Sequence, residues 1–263
     1  MEGGGGQGSY VFALPPSLGR GPVLELAQRF SAHFAGTAIG RVETLGSYGE
    51  IETALLQGRC HAAWSPPIVC ARIESAGGIV ALRSMRYGST TYRAVLLSRA
   101  SDRIDLKQLG DPGARRLRAA WVDEWSMGGC ILPRYYLRSR GLELERVLSQ
   151  EQLLGSYDTC FNAVLDGTAD ITASYATRRG LGYIDLCGER AVELRALAYT
   201  DESPNDGVAI SPVLGKEEAE SLRGTLIELF ASSNAPDILS SGFDVNGFDQ
   251  PPPGTYSALL SLL

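Results

Sequence analysis

"GSYGEIETALLQG", residues 46–58, returns as "GSYDTCFNAVLDG" at residues 155–167, with Gly, Ser, Tyr, Ala, Leu and Gly at the same six of thirteen places. Each copy opens with a small polar tripeptide, runs on at helical apolar spacing and stops at a glycine suited to a helix C-terminus. The flanks repeat as well. The first copy lies between the strand-like runs "IGRVETLG" and "CHAAW", and the second between "LERVLSQ" and "ADITAS". Each therefore fills the same slot in its own α/β unit, and two related lobes are the simplest account.

The rest of the chain alternates in the same way. "YVFALPP", "GGIVALRSMR", "TYRAVLLSR", "RRLRAAWVD" and "GVAISPVL" read as strands. "GPVLELAQRFSAHFAG" reads as a helix with Pro22 in its first turn and Gly36 at its stop; "CILPRYYLRSRG" and "KEEAESLRGTLIELFASS" read as two more. Strands alternating with helices of this length predict an α/β protein with mostly parallel sheets. Residues 1–8, glycine-rich, read as a flexible lead.

A chain of 263 residues, 44% hydrophobic and 21% charged, can bury a large core. A formal charge of −6 without any basic block argues against a nucleic-acid-binding surface. The N-terminus has no cationic stretch leading into an apolar one, which predicts no secretory signal, no membrane insertion and a cytoplasmic location. A periplasmic or surface location is expected only if a signal segment has been removed. Cys60, Cys70, Cys130, Cys160 and Cys187 are odd in number and lack a C-x-x-C pair, so they read as core thiols rather than a disulfide framework. His33 and His61 are not spaced with them as zinc ligands would be and read as structural. No metal and no organic cofactor are expected.

The Gly-Ser-Tyr tripeptides stand where a strand feeds a helix. There the first backbone N–H groups have no intrahelical partner and the positive end of the helix dipole lies behind them, so such a corner can hold an anionic group without a lysine. The serine is equally suited to be an N-cap. Tyr48 and Tyr157 would approach a shared cleft if the lobes face one another. A third turn of this kind is "DEWSMGGCILP", residues 123–133, where Gly128 and Gly129 permit close backbone approach and Ser126 adds a hydroxyl beside Met127.

The order of these motifs resembles the type 2 periplasmic solute-binding proteins, in particular the phosphate/phosphite/phosphonate-binding branch of ABC transporters. The resemblance is carried by "GRCHAAWSPP", "GSTTYRAVLLSR", "IDLKQLGDPGARRLRAAWVD", "SMGGCILP", "GSYDTCFNAVLDGTADITAS", "SPNDGVAIS" and "GFDQPPPGTYSALLSLL", in that order over nearly the whole chain. It implies a two-lobed fold, each lobe a mostly parallel sheet flanked by helices, joined by two hinge strands, "TYRAVLLSR" and "NDGVAIS". The first lobe would comprise residues 9–96 and 207–263, and the second 97–206. A small-molecule ligand would be enclosed between the lobes as they close.

The branch holds its anion with three consecutive hydroxyl residues and a histidine. Here Ser126 is followed by Met127 and Gly128, and Tyr157 stands at the histidine position. At about 1.5–3 kcal/mol for each hydrogen bond to a charged group, that loss weakens an oxyanion by several powers of ten. The remaining candidates are aromatic and mixed: Tyr48, Trp64, Tyr92, Trp125, Tyr157 and Tyr175, with Ser17, Ser65, Thr91, Arg93 and Asp158. Asp206 stands where the resemblance places a ligand amine. Trp64 and Trp125 are suited to stack on a flat or apolar ligand, or to pack as core under the turns. The list suits a carboxylate- or amine-bearing organic molecule better than bare phosphonate.

Nothing in the chain matches a G-x-S-x-G elbow, an H-E-x-x-H helix, a P-loop or a dinucleotide fingerprint, and no catalytic residue is assigned. Three readings share the expected fold: a solute receptor for a transporter, a cytosolic enzyme such as those of the menaquinone pathway, and a sensory domain that regulates a fused or associated partner. For the enzyme, Ser126, Tyr157, Asp158 and Asp206 are the candidate acid, base or oxyanion groups.

Overall fold

The computed structural model describes residues 9–15, 23–177, 180–232 and 245–263. Ser17 and the glycine-rich lead lie outside them. In chain order the strands and helices are β1 (Tyr10–Leu14), α1 (Val23–His33), β2 (Ile39–Thr44), α2 (Tyr48–Leu56), β3 (Ala62–Ser65), α3 (Pro67–Ser75), β4 (Ile79–Met85) and β5 (Thr91–Arg99). There follow β6 (Leu117–Trp121), α4 (Leu132–Ser139), α5 (Leu144–Val147), β7 (Leu148–Leu153), α6 (Tyr157–Leu165), β8 (Thr172–Ala176) and α7 (Gly182–Cys187). The last are β9 (Leu194–Pro204), β10 (Gly207–Ile210), α8 (Lys216–Ala231) and β11 (Gly247–Asp249).

The chain separates into two compact units, Met1–Thr90 with Pro204–Leu260, and Thr91–Ser203 with Ser261–Leu263. In unit 1 the sheet order is β11-β4-β10-β3-β1-β2. β1 is parallel to both β2 and β3, whereas β10 returns from the C-terminal part of the chain and lies antiparallel between β3 and β4. Its core is aromatic. Leu26 and Phe30 of α1, with Phe34 just beyond it, follow one another at four-residue spacing and bury one face of the helix. Phe30 and Phe34 meet Phe12 of β1 and Phe230 of α8, which also meet each other, at ring separations of 5.3–6.2 Å.

In unit 2, β5 lies between β8 and β9, with β8 antiparallel to it. β6 and β7 pair in parallel, and a bridge between Ala119 and Ile171 joins β6 to the start of β8. Asp170, 1% exposed, fixes that junction: it accepts hydrogen bonds from the Arg118 backbone and guanidinium and from Arg115. Burial pushes its carboxyl up, but the bonds from Arg118 and Arg115 outweigh this and hold it well below the usual carboxylate range.

Several elements differ from the expectation. "LERVLSQ" is a short helix, α5, followed by the first residues of β7. The helix expected at Cys130 is entered through a π-helical segment, Met127–Ile131, before α4 begins. α3 went unread because Pro67, Ile68, Val69, Cys70, Ala71 and Ile73 are all buried, leaving no polar stripe to reveal a 3.6-residue period. The chain passes between units at Thr90/Thr91 and Ser203/Pro204, where the family resemblance implies 96/97 and 206/207.

Candidate functional site

Both Gly-Ser-Tyr copies fold alike, each in its own unit. Ser47 and Ser156 are N-caps with nearly the same backbone, φ −156°, ψ 163° and φ −148°, ψ 158°. Ser47 Oγ accepts the Glu50 N–H at 3.1 Å, and Ser156 Oγ accepts the Thr159 N–H at 3.2 Å. Each helix then ends at a glycine in the left-handed region, Gly58 at φ 68° and Gly167 at φ 78°. The caps leave Tyr48 and Tyr157 as the first helical residue of α2 and α6, both half-buried.

In unit 1, Trp64 and Ser65 belong to the core. Trp64 is 1% exposed and packs edge-on against Phe248 at 5.8 Å, and Ser65 Oγ donates to the Ala63 carbonyl. Stacking on a ligand, one of two roles open to Trp64, needs a face that this packing covers. Asp206 is held by Arg86 at 2.8 Å. The neighbouring Asn205 donates to the carbonyls of Ser84 and Ser89 and accepts the Tyr256 hydroxyl on its own carbonyl at 2.8 Å. The C-terminal turn is tied down further by Glu74, whose Oε2 accepts the backbone N–H groups of Tyr256 and Ser257 and the Ser257 hydroxyl.

In unit 2 the turn 123–129 is built by its own side chains. Asp123 Oδ1 accepts the Trp125 N–H at 2.8 Å, and the indole N–H of Trp125 is held by Glu124 at 3.2 Å. Ser126 Oγ accepts the Gly129 N–H at 3.1 Å, while its carbonyl accepts the Ile131 N–H across a π-helical turn. Gly129 lies tight on Val122, the residue after β6, for a β-carbon there would fall 2.5 Å from Val122 Cγ2. Gly128 lies under three tyrosines: a β-carbon there would be 3.1 Å from Tyr157 Oη, 3.3 Å from Tyr92 Cε2 and 3.6 Å from Tyr175 Cβ.

Unit 2 thus brings Tyr92, Gly128, Tyr157 and Tyr175 together. Met127 is buried, and Asp158 is exposed on the first turn of α6. Thr91 donates to Glu202 at 2.8 Å and Arg93 pairs with the same carboxylate at 3.4 Å. Sequence reading missed Arg86 and Glu202, the partners that occupy Asp206 and Arg93, because pairing between distant strands leaves no local signal. It also missed Gly182, where a β-carbon would fall 2.6 Å from Tyr175 Cζ.

The histidines serve the fold. His61 Nδ1 accepts the Val11 N–H at 3.0 Å, and His33 Nε2 lies 2.9 Å from the Leu229 carbonyl. Among the described residues no group of three His, Cys, Asp or Glu side chains is placed to hold a metal ion, and no helix is long and apolar enough to cross a membrane. The cysteines are free, and burial pushes the thiols of Cys60 and Cys160 up to about 12 and those of Cys130 and Cys187 up to about 11.

This architecture is that of the periplasmic substrate-binding proteins. Similar solved structures include XAC2383 from Xanthomonas citri bound to ATP, with TM-score 0.74 and 19% identity over 97% of this chain and 96% of that one. PhnD1 from Prochlorococcus marinus in complex with methylphosphonate gives 0.74 and 16% over 96% of each chain. The periplasmic aliphatic sulphonate-binding protein SsuA from Escherichia coli gives 0.56 and 14% over 96% and 82%. No curated protein sequence matches the chain.

Residues 25–256 match the family described as ABC transporter, phosphonate, periplasmic substrate-binding protein, and the chain belongs to that family. It is a solute-binding protein. The cytoplasmic location expected from the N-terminus is not supported, since the family is described as periplasmic.

Proposed function

We infer that this chain receives a carboxylate-bearing organic solute for an ABC transporter, acting in the periplasm with permease and ATPase partners. The closing of the two lobes over that solute, expected from the sequence, is part of the proposal. The observation that carries the choice of solute is the state of the unit 2 turn. Ser126 is the one hydroxyl residue among positions 126–128, so the turn offers a single side-chain O–H donor. Arg93, the candidate cation of unit 2, shares Glu202 with Thr91. A phosphonate carrying up to two charges needs several charge-assisted donors, whereas a carboxylate carries one charge and is suited to the amides of a capped helix N-terminus. Asp206, paired with Arg86, is a poorer partner for a ligand amine than a bare carboxylate would be, which favours the carboxylate half of the expectation.

Isothermal titration of the full chain with phosphate, methylphosphonate, glycine and a panel of organic carboxylates tests this. A carboxylate is expected to bind more tightly than either phosphorus compound. Tighter binding of phosphate or methylphosphonate than of every carboxylate would overturn the reading.

A further inference from the structure

The strands of the two units correspond. In unit 1, β1 is parallel to β2 and β3, and β10 runs antiparallel between β3 and β4. In unit 2, β6 is parallel to β7 and, through the Ala119–Ile171 bridge, to the start of β8, while β5 runs antiparallel to β8 and separates it from β9. β9 therefore takes the place of β4. In unit 1 that place is not an edge, because β11 pairs antiparallel with β4 on its far side, Gly247 with Met85 and Asp249 with Arg83. Among the described residues no strand stands beside β9 in the position of β11. The edge left open is long, 11 residues, against 6 for β2 and 3 for β11 at the edges of unit 1. Open edges are ordinarily kept short, or are guarded by lysine, by proline or by a covering segment. β9 has no lysine, its one proline is its last residue, and Tyr199 in its middle is 45% exposed.

We propose that β9 pairs antiparallel with β9 of a second copy of this chain, so that the unit 2 sheets of the two copies continue into one another across a two-fold axis. Charge selects this occupant. Among the described residues Arg195 bonds to neutral groups alone, the Ile104 carbonyl and the Ser98 hydroxyl, and Asp201 is exposed without an ion-pair partner. One lies three residues before Ala198 and the other three after it. With the axis at Ala198, antiparallel pairing sets Arg195 of each copy opposite Asp201 of the other, and Leu197 opposite Tyr199. Residues directly opposite in such a pair touch, and both opposite charges and aromatic–aliphatic neighbours favour it. The symmetry makes each of these contacts twice. It also uses up both open β9 edges, so the assembly stops at two copies instead of growing. Nothing in this pairing depends on which solute the protein receives.

The test is sedimentation velocity of the full chain over a concentration series, with amide exchange followed at low and high concentration. The parent is expected to sediment as a dimer that dissociates on dilution, and exchange in β9 should slow as the dimer forms while exchange in β2 stays the same. Asp201→Arg, a change at an exposed position, sets like charges opposite one another twice and should weaken the dimer about tenfold. Adding Arg195→Glu restores opposite charges and should recover the parent's affinity. Tyr199→Lys supplies the guard that the edge lacks and should leave a monomer. Circular dichroism establishes that each variant folds. A parent that stays monomeric up to millimolar concentration would overturn the proposal, as would a dimer that Asp201→Arg and Tyr199→Lys leave unchanged or one that forms without slower exchange in β9.

Discussion

The backbone of Gly128 lies so close beneath Tyr157 that a β-carbon at residue 128 would stand 3.1 Å from the phenol oxygen. Gly129 is tighter still, 2.5 Å from Val122 Cγ2 by the same measure. The two glycines are therefore expected to differ under substitution. Gly129→Ala should lower stability by about 1–3 kcal/mol through overpacking against Val122. Gly128→Ala meets the end of a side chain, which can swing aside, and should lower stability by less than about 1 kcal/mol while weakening ligand binding. Urea unfolding of the two variants checks the order; equal losses would contradict it.

The paired caps give a second expectation. Ser47→Ala and Ser156→Ala should each cost about 1 kcal/mol. Acting in separate units on separate helices, they should add in the double variant. Amide exchange should speed up at Glu50 in one variant and at Thr159 in the other. A variant whose cap amide keeps its protection would show that the serine is not the cap.

Asp170 predicts a pH dependence. Its folded-state value is depressed by Arg118 and Arg115, so its contribution is complete above the unfolded carboxylate value of about 3.9 and is lost as pH falls towards the folded value. Asp170→Asn should therefore be less stable than the parent by about 3 kcal/mol at neutral pH, and the gap should shrink as the solution is acidified below about pH 4. A gap that stays constant on acidification would contradict this assignment.

The thiols should be slow. With burial raising Cys60, Cys130, Cys160 and Cys187 to about 11–12, the native protein at pH 8 should react with a disulfide reagent far more slowly than the unfolded chain. Cys187, only half-buried, should react first. Prompt labelling of all five cysteines in the native state would contradict the burial described here.

The fold was legible wherever one face of an element differs from the other. The repeated Gly-Ser-Tyr helices show their apolar side in sequence, Ile51 and Leu55 in one and Cys160 and Val164 in the other, and these are buried. α3 was illegible because it is buried nearly all round, and β9 because its mixed polar residues alternate irregularly. Of the residues that unit 2 brings together, Tyr92, Gly128, Tyr157 and Tyr175 stand among the candidates named from motif position. Motif position gave no means of knowing that Arg86 holds Asp206 or that Trp64 turns into the core, since both depend on contacts between residues far apart in the chain.

The claim on which the account turns is that the protein takes up a carboxylate solute in preference to a phosphonate. Its most direct test is native mass spectrometry of the parent protein and of the Tyr157→Ala variant, each incubated with the same mixture of benzoate, glycine and methylphosphonate. The parent is expected to carry a carboxylate adduct that leaves on denaturation and that the folded variant lacks. A methylphosphonate adduct as the dominant species on the parent, or an undiminished carboxylate adduct on the variant, would contradict the account.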